Sequence, residues 1–437
     1  MQLSSERRAM FTLEKLELPQ LGLRGLEAGL SEEEQAVQDV CHRFAAEVMR
    51  PIGKKLDEMS PEEVIASDSP LHDYVKQIND AGIVDLQSLA SMGDLEKSRL
   101  LPIIFEELGW GDSGLAIATL ASSIPAFTAY STGDPQLIEQ FGSVPGCWLG
   151  TQPDRGSDVV DMDATEVRPG TQQNKGNLQA RLDGDNYIID GQSSAWVSYG
   201  PLAKTAMAYI PCDYGQGLYA ASSGGLNHVG ILIPLDLTGV SRGAPLNKLG
   251  QRSLPQGEIF FDNVQVPKKY AVATEHQTIV QMVATLTFAN MEMAATFTGV
   301  ARSAFEIALE YVHQRNQGGT EIINHQSVQV RTFDLWQKVE ASRALMQRVF
   351  DFNYGKHGPH LMASITSKTY VTRAAFEVAS EALQLLGGNG LTKDYPIEKI
   401  MRDARASMIE DGENNVLNIK GMRWLSNWYR SQHGMAM

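Results

Sequence analysis

The spacing of apolar residues divides the chain into three sections of different character. In the first, from residue 31 to about 142, apolar residues recur at helical spacing. Ser31 and Glu34 have the spacing of a capping box, which predicts that the first helix begins there. Pro51 is predicted to end this helix, because proline cannot donate the backbone hydrogen bond of a helix interior.

The middle section, from about residue 146 to residue 270, consists of short runs rich in β-forming residues. Gly, Asn, Asp and Pro separate these runs, as they separate the strands of β domains. The runs are CWLGT, LQARL, NYIIDG, AMAYI, HVGILIPL and EIFFDNV. Together they predict a compact β domain.

The last section, after Pro267, again has a helical pattern. One long amphipathic run covers about residues 275 to 315, and two more follow, QSVQVRTFDLWQKVEASRALMQRVFDF and LMASITSKTYVTRAAFEVASEALQLL. The last run is predicted to end at Gly387 and Gly388, because glycine accepts the left-handed conformation of a helix C-cap. These runs predict a C-terminal helical bundle.

Together the sections predict an α+β fold with four parts. Residues 1–30 are expected to form an N-terminal extension and residues 31–145 an α-helical domain. Residues 146–270 are expected to form a β domain, and residues 271–437 the C-terminal helical bundle. An order of helices, strands and helices does not by itself name a function.

Composition and charge narrow the class of protein. Of the 437 residues, 37 are Lys or Arg and 52 are Asp or Glu, which gives a net charge of −15. This acidic balance argues against nucleic acid as the main partner, because phosphate binding needs a basic surface. No run approaches the ~18 consecutive apolar residues that a membrane span requires.

The three cysteines are too few and too widely spaced for a disulfide framework or a Cys-based metal site. They are Cys41, Cys147 and Cys212. The first twenty residues also lack the apolar core of a secretory signal. We therefore expect a protein of a reducing compartment, namely the cytoplasm.

Two motifs in the middle section could bind a flat polar ring. In GQSSAWVSYG, a strand would place Ser194, Trp196 and Ser198 on one face, so that an indole and hydroxyls point the same way. The turn GTQPDRGSD is rich in amides and hydroxyls that could cradle an anion or a ring edge. Taken alone, each motif is more often ordinary structure, namely a core tryptophan and a loop between strands.

Two motifs in the last section could also carry chemistry. The glycines of QLLGGNG would let a backbone approach a ligand closely, although a plain helix C-cap explains them as well. The stretch from MRDA to IEDG places acids beside a flexible glycine, where one of them could act as a general base, although a solvated charge cluster has the same composition. The chain contains no GxGxxG, GxxxxGK[ST] or HExxH motif.

Taken in order, these motifs resemble those of the acyl-CoA dehydrogenase family of flavoproteins, over about residues 31 to 425. The resemblance implies an N-terminal helical domain, a middle β-barrel-like domain and a C-terminal four-helix bundle. It also implies a dimer or tetramer that holds FAD at the domain junction.

The resemblance assigns two groups of cofactor-binding residues. Those expected around the flavin ring are Thr151, Gly156, Ser157, Trp196 and Ser198, the last in place of the family's usual threonine. Those expected to reach the FAD of a neighbouring subunit are Arg315, Gln317, Gln326, Gln384 and Gly388. Gly318 stands where the family usually has a phenylalanine, so the stacking contact of that ring is lost.

The resemblance also indicates where the catalytic base lies. The family's usual glutamate, just before a glycine, corresponds to Asp411, and the neighbouring Glu410 is an alternative. A minority of the family places its base on the long bundle helix, where this chain has Ala289. Glu292, about one turn further on, is a weaker candidate for that variant.

The implied reaction is the α,β-dehydrogenation of an acyl thioester, with proton removal by a carboxylate and hydride transfer to flavin N5. Asn290 replaces an arginine that many members have near the CoA arm, so an acyl carrier protein stays open beside CoA as the carrier. Reoxidation by an electron-transfer flavoprotein is expected. Two alternatives remain, a flavin oxidase or monooxygenase of the same fold and an inactive flavin-binding subunit.

Overall fold

A computed structural model of the chain describes residues 24–27, 29–161, 175–219 and 225–435. Most of the predicted N-terminal extension lies outside the described residues. The helices of the first section are α1 (Glu32–Phe44), α2 (Arg50–Glu58), α3 (Pro61–Val64), α4 (Pro70–Asp80), α5 (Leu86–Ser91), α6 (Asp94–Gly111), α7 (Ser113–Thr132) and α8 (Pro135–Phe141).

The start of α1 confirms the predicted capping box. Ser31 Oγ accepts from the Glu34 amide at 3.2 Å, and the Ser31 amide donates to the Glu34 carboxylate at 2.7 Å. The predicted end at Pro51 is wrong. A π-helical segment, Ala45–Met49, joins α1 to α2, and Pro51 is the second residue of α2, in the first turn, where its missing N–H costs least.

Among the described residues of the middle section and the four residues that follow it, eight strands form one sheet. They are β1 (Gly146–Leu149), β2 (Gln179–Asp183), β3 (Asn186–Gln192), β4 (Thr205–Asp213), β5 (His228–Pro234), β6 (Val240–Arg242), β7 (Ile259–Pro267) and β8 (Ala271–Thr274). The strand order is β6-β7-β3-β2-β4-β5-β8, and β1 pairs in parallel with β4. All six predicted β runs contain a strand, but this order is open, and closure into a barrel stays a prediction.

The last section is helical, as its pattern predicts. Its helices are α9 (His276–Gln314), α10 (Gln326–Asn353), α11 (Leu361–Leu386), α12 (Ile397–Ala406) and α13 (Asn414–Gln432), with a two-stranded ladder of β9 (Asn316–Gln317) and β10 (Thr320–Glu321) after α9. Helix α11 ends at Gly387, whose φ of 62° confirms the predicted glycine stop. The mixed α+β fold is therefore confirmed, and the division into four parts stays a prediction.

Helices α6 and α9 cross closely in the core. Gly109 and Gly299 lie at the crossing, where an added Cβ on either would collide with the backbone of the other helix. A buried ionic cluster lies beside this crossing, in which Glu106 is 0% exposed and bonds to Arg302 at 3.1 Å and to Arg343 at 2.8 Å. These opposite charges compensate one another in a region that water does not reach.

A second ionic cluster joins all three sections, and we call it the Lys399 junction (Asp112, Lys399 and Asp403). The Lys399 ammonium donates to Asp112 Oδ2 at 2.7 Å and to Asp403 Oδ2 at 2.6 Å. Asp112 caps α7 and also accepts from Ser253 Oγ at 2.7 Å. The Asp403 carboxylate accepts from the backbone amide of Gln251. The junction therefore fixes α12 against both the helices of the first section and the segment that leads into β7.

Cys41, Cys147 and Cys212 are all buried free thiols. Within the described ranges, none of the helices is both long and apolar enough to cross a membrane.

Replacing Lys399 with methionine should destabilise the protein. Two buried carboxylates would lose the cation they share, and breaking a buried ion pair from one side typically costs about 3–5 kcal/mol. Urea unfolding of Lys399→Met beside the wild type measures the free energy of unfolding, and Lys55→Met, at an exposed lysine of α2, is the control.

The penalty should shrink as the pH falls. Without Lys399, the folded-state pKa of Asp403, which burial already raises, would rise further, so protonation at low pH favours the folded state of the variant. A penalty that stays constant from neutral to acid pH would contradict this account of the junction.

Candidate active site

Trp196 and three hydroxyl groups form an open platform, which we call the Trp196 platform (Thr151, Ser194, Trp196 and Ser198). Trp196 is 63% exposed, an unusual state for so large an apolar side chain. Thr151 Oγ1 and Ser194 Oγ lie 2.7 Å apart in a hydrogen bond, and Ser194 Oγ also accepts from the Trp196 amide at 3.3 Å. An exposed indole among ordered hydroxyls suits a flat ligand with a polar edge.

The predicted strand under this platform is not present. Strand β3 ends at Gln192, and the residues that follow form turns. The Gly200 amide closes one turn on the Val197 carbonyl, and Tyr199 has a φ of 62°, which a strand does not allow. The side chains therefore meet through turns, and strand alternation is not the reason for their proximity.

Ser198 is held from the other side by a chain of polar groups. Gln256 Nε2 donates to Ser198 Oγ at 3.1 Å and to the Trp196 carbonyl at 3.3 Å. Lys248 Nζ in turn donates to Gln256 Oε1 at 2.8 Å. Burial lowers the pKa of Lys248 to about 8, and the nearby Glu410 opposes this shift.

The turn before Gly156 connects the platform to the last section of the chain. Gln152 and Arg155 close this turn by two backbone hydrogen bonds of 2.8 and 3.1 Å, which leaves Gly156 exposed. Ser157 Oγ then accepts from the Glu413 amide at 3.3 Å. The Ser157 contact joins the platform's turn to the loop between α12 and α13, which we call the base loop (residues 407–413).

The base loop is held by buried side chains from two helices of the bundle. Asn290 on α9 is 0% exposed, and its Nδ2 donates to the Asp411 carbonyl at 3.0 Å. Lys368 on α11 is also 0% exposed, and its Nζ donates to the Gly412 carbonyl at 2.7 Å. Asp411 has a φ of 50° and Gly412 a φ of 99°, so the loop bends sharply between these two contacts.

Three carboxyl groups lie in or beside the loop, and their surroundings differ. Burial raises the pKa of Asp411, and the Lys368 ammonium opposes this shift. Burial raises the pKa of Glu410 to about 7, although a hydrogen bond from Gln251 Nε2 at 3.0 Å lowers it. Burial also raises the pKa of Glu292 well above its usual range, and the negative charge of Asp411 adds to this shift. One carboxyl oxygen of Glu292 has no hydrogen-bond partner among the residues that the structure describes.

The second group of predicted cofactor residues lies on the outside of the bundle. All five members are exposed, namely Arg315, Gln317, Gln326, Gln384 and Gly388. Asn389 Nδ2 donates to the Tyr311 hydroxyl at 3.0 Å, which ties the Gly387–Leu391 turn to the last turn of α9. Arg315 follows that turn of α9 directly, so the segments that carry Arg315 and Gly388 meet at one end of the bundle.

Several residues of the site were not found by reading the sequence, above all Lys368, Gln251 and Gln256. One signal for Lys368 was available. It occupies the same helical stripe of α11 as Leu361, Ile365 and Thr372, which are buried, and a charged residue on a buried stripe indicates a specific partner. Gln251 and Gln256 carried no such signal, because their segment has no periodic pattern.

Comparison with known proteins identifies the family. The family model for the C-terminal domain of acyl-CoA dehydrogenases matches residues 279–425. The chain is also 26% identical over 395 residues to cyclohex-1-ene-1-carbonyl-CoA dehydrogenase of Geobacter metallireducens, an alignment that covers 89% of this chain and 96% of that one. Over most of its length the chain is therefore similar to members of the acyl-CoA dehydrogenase family.

Solved structures agree with this similarity at the level of the fold. Butyryl-CoA dehydrogenase of Megasphaera elsdenii is 21% identical, with a TM-score of 0.76 over 92% of this chain and 100% of that chain. A glutaryl-CoA dehydrogenase of Mycobacterium smegmatis in complex with FADH2 is 20% identical, with a TM-score of 0.74 over 91% and 95% of the two chains. The acyl-CoA dehydrogenase fold therefore extends over nearly the whole chain.

Proposed function

We propose that this protein is an FAD-dependent acyl thioester dehydrogenase that introduces a double bond between the α and β carbons of the acyl group. The observation that carries the proposal is the contact between Ser157 and Glu413, since it connects the turn beside the Trp196 platform to the loop that carries the Asp411 carboxylate. Similarity to the acyl-CoA dehydrogenase family supports the same reaction.

The residues of the platform fit a flavin. An exposed indole gives the ring a face to pack on, and the platform hydroxyls of Thr151 and Ser198 can bond its polar edge, together with the Ser157 hydroxyl of the neighbouring turn. Gly156 is exposed and leaves room for a backbone approach. FAD, when bound, supplies the acceptor for the hydride that leaves the β carbon.

Asp411 is the proposed catalytic base. An ionised carboxylate is needed to take the α proton on its oxygen, and Lys368 provides a positive charge that favours this form of Asp411. Among the described residues, burial and the charge of Asp411 act on Glu292 and no cation opposes them, so Glu292 is expected to stay protonated. Gln251 holds Glu410 by a hydrogen bond. Of the three acids, Asp411 therefore has the surroundings that best suit a base.

The substrate is an acyl thioester of CoA, or of an acyl carrier protein, and an electron-transfer flavoprotein is the proposed acceptor of the electrons. The protein is proposed to act in the cytoplasm as a homodimer or homotetramer. The exposure of Arg315, Gln317, Gln326, Gln384 and Gly388 supports the idea that they contact the FAD of a neighbouring subunit.

The purified protein should be yellow and contain about one FAD per chain, because the platform and its hydroxyls are present. Absorbance spectra and quantification of the released flavin measure this. A colourless protein that takes up no FAD on reconstitution would contradict the proposed function.

FAD retention should depend on Arg315. In the proposed assembly, Arg315 pairs with the diphosphate of a neighbouring FAD, and a charge-assisted hydrogen bond of this kind contributes about 1.5–3 kcal/mol. Arg315→Ala should lower FAD occupancy without changing the fold, and Arg181→Ala, at an exposed arginine of β2, is the control. A monomer that retains FAD normally would refute the shared site.

Asp411→Asn should bind acyl-CoA and fail to reduce the flavin. The amide keeps the shape of the side chain and removes the proton acceptor, and loss of a general base typically costs about 10²–10⁴-fold in rate. Stopped-flow bleaching of the flavin absorbance by acyl-CoA substrates measures the effect, and Asp80→Asn, at an exposed aspartate of α4, is the control.

Two further variants distinguish the other acids. Glu292→Gln replaces a protonated acid by a neutral amide, so its effect should be small, and Glu410→Gln should slow reduction less than Asp411→Asn does. If Glu410→Gln or Glu292→Gln abolishes reduction and Asp411→Asn does not, Asp411 is not the base. If none of the three slows reduction, the dehydrogenase mechanism itself fails.

A further inference from the structure

Lys368 is a buried cation next to the base loop. Its side chain is 0% exposed, and its ammonium donates to the Gly412 carbonyl at 2.7 Å and to Asn414 Oδ1 at 2.9 Å. It lies on the face of α11 that packs into the bundle. Packing alone does not require a charge at this position, since an apolar residue would fill it without the cost of burying an ammonium group.

The position is also unfavourable for a cation because of the neighbouring helix. Asn414 is the first residue of α13, and the N-terminus of a helix carries partial positive charge. The orientation of the Asn414 side chain is held by its Nδ2, which donates to Thr372 Oγ1 at 3.0 Å. The position of Lys368 is thus fixed, and its charge must be balanced by the base loop.

The charged groups around Lys368 are mostly acidic. Asp411, Glu410 and Glu413 of the base loop all interact with its ammonium. From the other elements, Glu292 on α9 interacts with Asp411, and Lys248, in the segment before β7, interacts with Glu410. Of the two lysines, Lys368 is the one that acts on Asp411.

We propose that Lys368 is a positioning residue for the base: its ammonium fixes the Gly412 carbonyl, and thereby the backbone of Asp411, and its charge keeps the Asp411 carboxyl ionised at neutral pH. This inference rests on the proposed function for the role of Asp411. It assigns to Lys368 a role in the reaction beyond its contribution to packing.

The electrostatic part of the proposal has a definite sign. Burial raises the pKa of Asp411 and the Lys368 ammonium lowers it, so removal of the ammonium must raise it further. Burial also lowers the pKa of Lys368 to about 8, while Asp411, Glu410 and Glu413 oppose that shift, so the ammonium is mainly protonated at neutral pH. A variant without the ammonium therefore needs a higher pH to ionise its base.

The test compares Lys368→Met and Lys368→Gln with the wild-type holoenzyme. The pH profile of flavin reduction by an acyl-CoA should shift so that its acid limb lies at higher pH in both variants. At pH values below the acid limb, the rate of each variant should be lower than that of the wild type by about tenfold for each pH unit by which the limb has shifted. Lys356→Met, at an exposed lysine after α10, should leave the profile unchanged.

Infrared pH titration gives a second readout that needs no substrate. The band of the protonated Asp411 carboxyl is assigned by its absence in Asp411→Asn. In the wild type this band should be lost below pH 7, and in the Lys368 variants it should persist to higher pH. A wild-type band that persists above pH 7 would overturn the proposal even if neither variant folds.

A purely structural role for Lys368 predicts a different result. FAD content and thermal stability would then fall in both variants, while the acid limb and the infrared titration would stay at the wild-type pH, and the proposal would be wrong. If the wild type reduces its flavin with none of the acyl thioesters, the proposed function fails, but the infrared titration still decides whether Lys368 controls the ionisation of Asp411.

Discussion

The geometry of the site depends on one partly buried cation, Lys399, which lies between the buried carboxylates of Asp112 and Asp403. The three residues come from two distant parts of the chain, and Gln251 and Ser253 join them from a third. Charges buried this deeply are tolerated only when each is paired, so the sections must meet in one arrangement. Helix α12 is fixed by this arrangement, and the base loop begins where α12 ends.

Charge burial has a different consequence at the base. A carboxylate that removes a proton needs an apolar environment to raise its pKa and a nearby cation to keep it ionised. Asp411 has both, since burial and the Lys368 ammonium act on it in opposite directions. Among the described residues, Glu292 has the apolar environment without an opposing cation, and its pKa is raised well above the usual range. The difference between these two acids comes from a single lysine on α11.

Local patterns in the sequence predicted the elements well, because the forces that act there are local. The capping box at Ser31 and the glycine stop at Gly387 depend on a few neighbouring residues, and both are confirmed. The prediction for Pro51 was wrong because a π-helical segment shifts the hydrogen-bond register before the proline.

The interior of the candidate site was harder to predict, because it depends on contacts between residues distant in the chain. The hydroxyls of Thr151 and Ser194 are 43 residues apart in sequence and bond at 2.7 Å. Asn290 and Asp411 are separated by 121 residues, and Lys368 and Gly412 by 44. The motifs indicated which residues matter, but no local pattern could indicate which neighbours hold them.

The conformation of the base loop gives a physical reason for an aspartate at position 411. With a φ of 50°, residue 411 lies in the left-handed region, which Asp and Asn adopt more readily than residues with longer side chains. The side chain of Asp411 is short, so its reach is set mainly by the backbone, and Asn290 and Lys368 fix that backbone from two helices. A longer acid at this position would gain reach at the cost of backbone strain. The position of the carboxylate is therefore a property of the loop and its two buried anchors more than of the length of its own side chain.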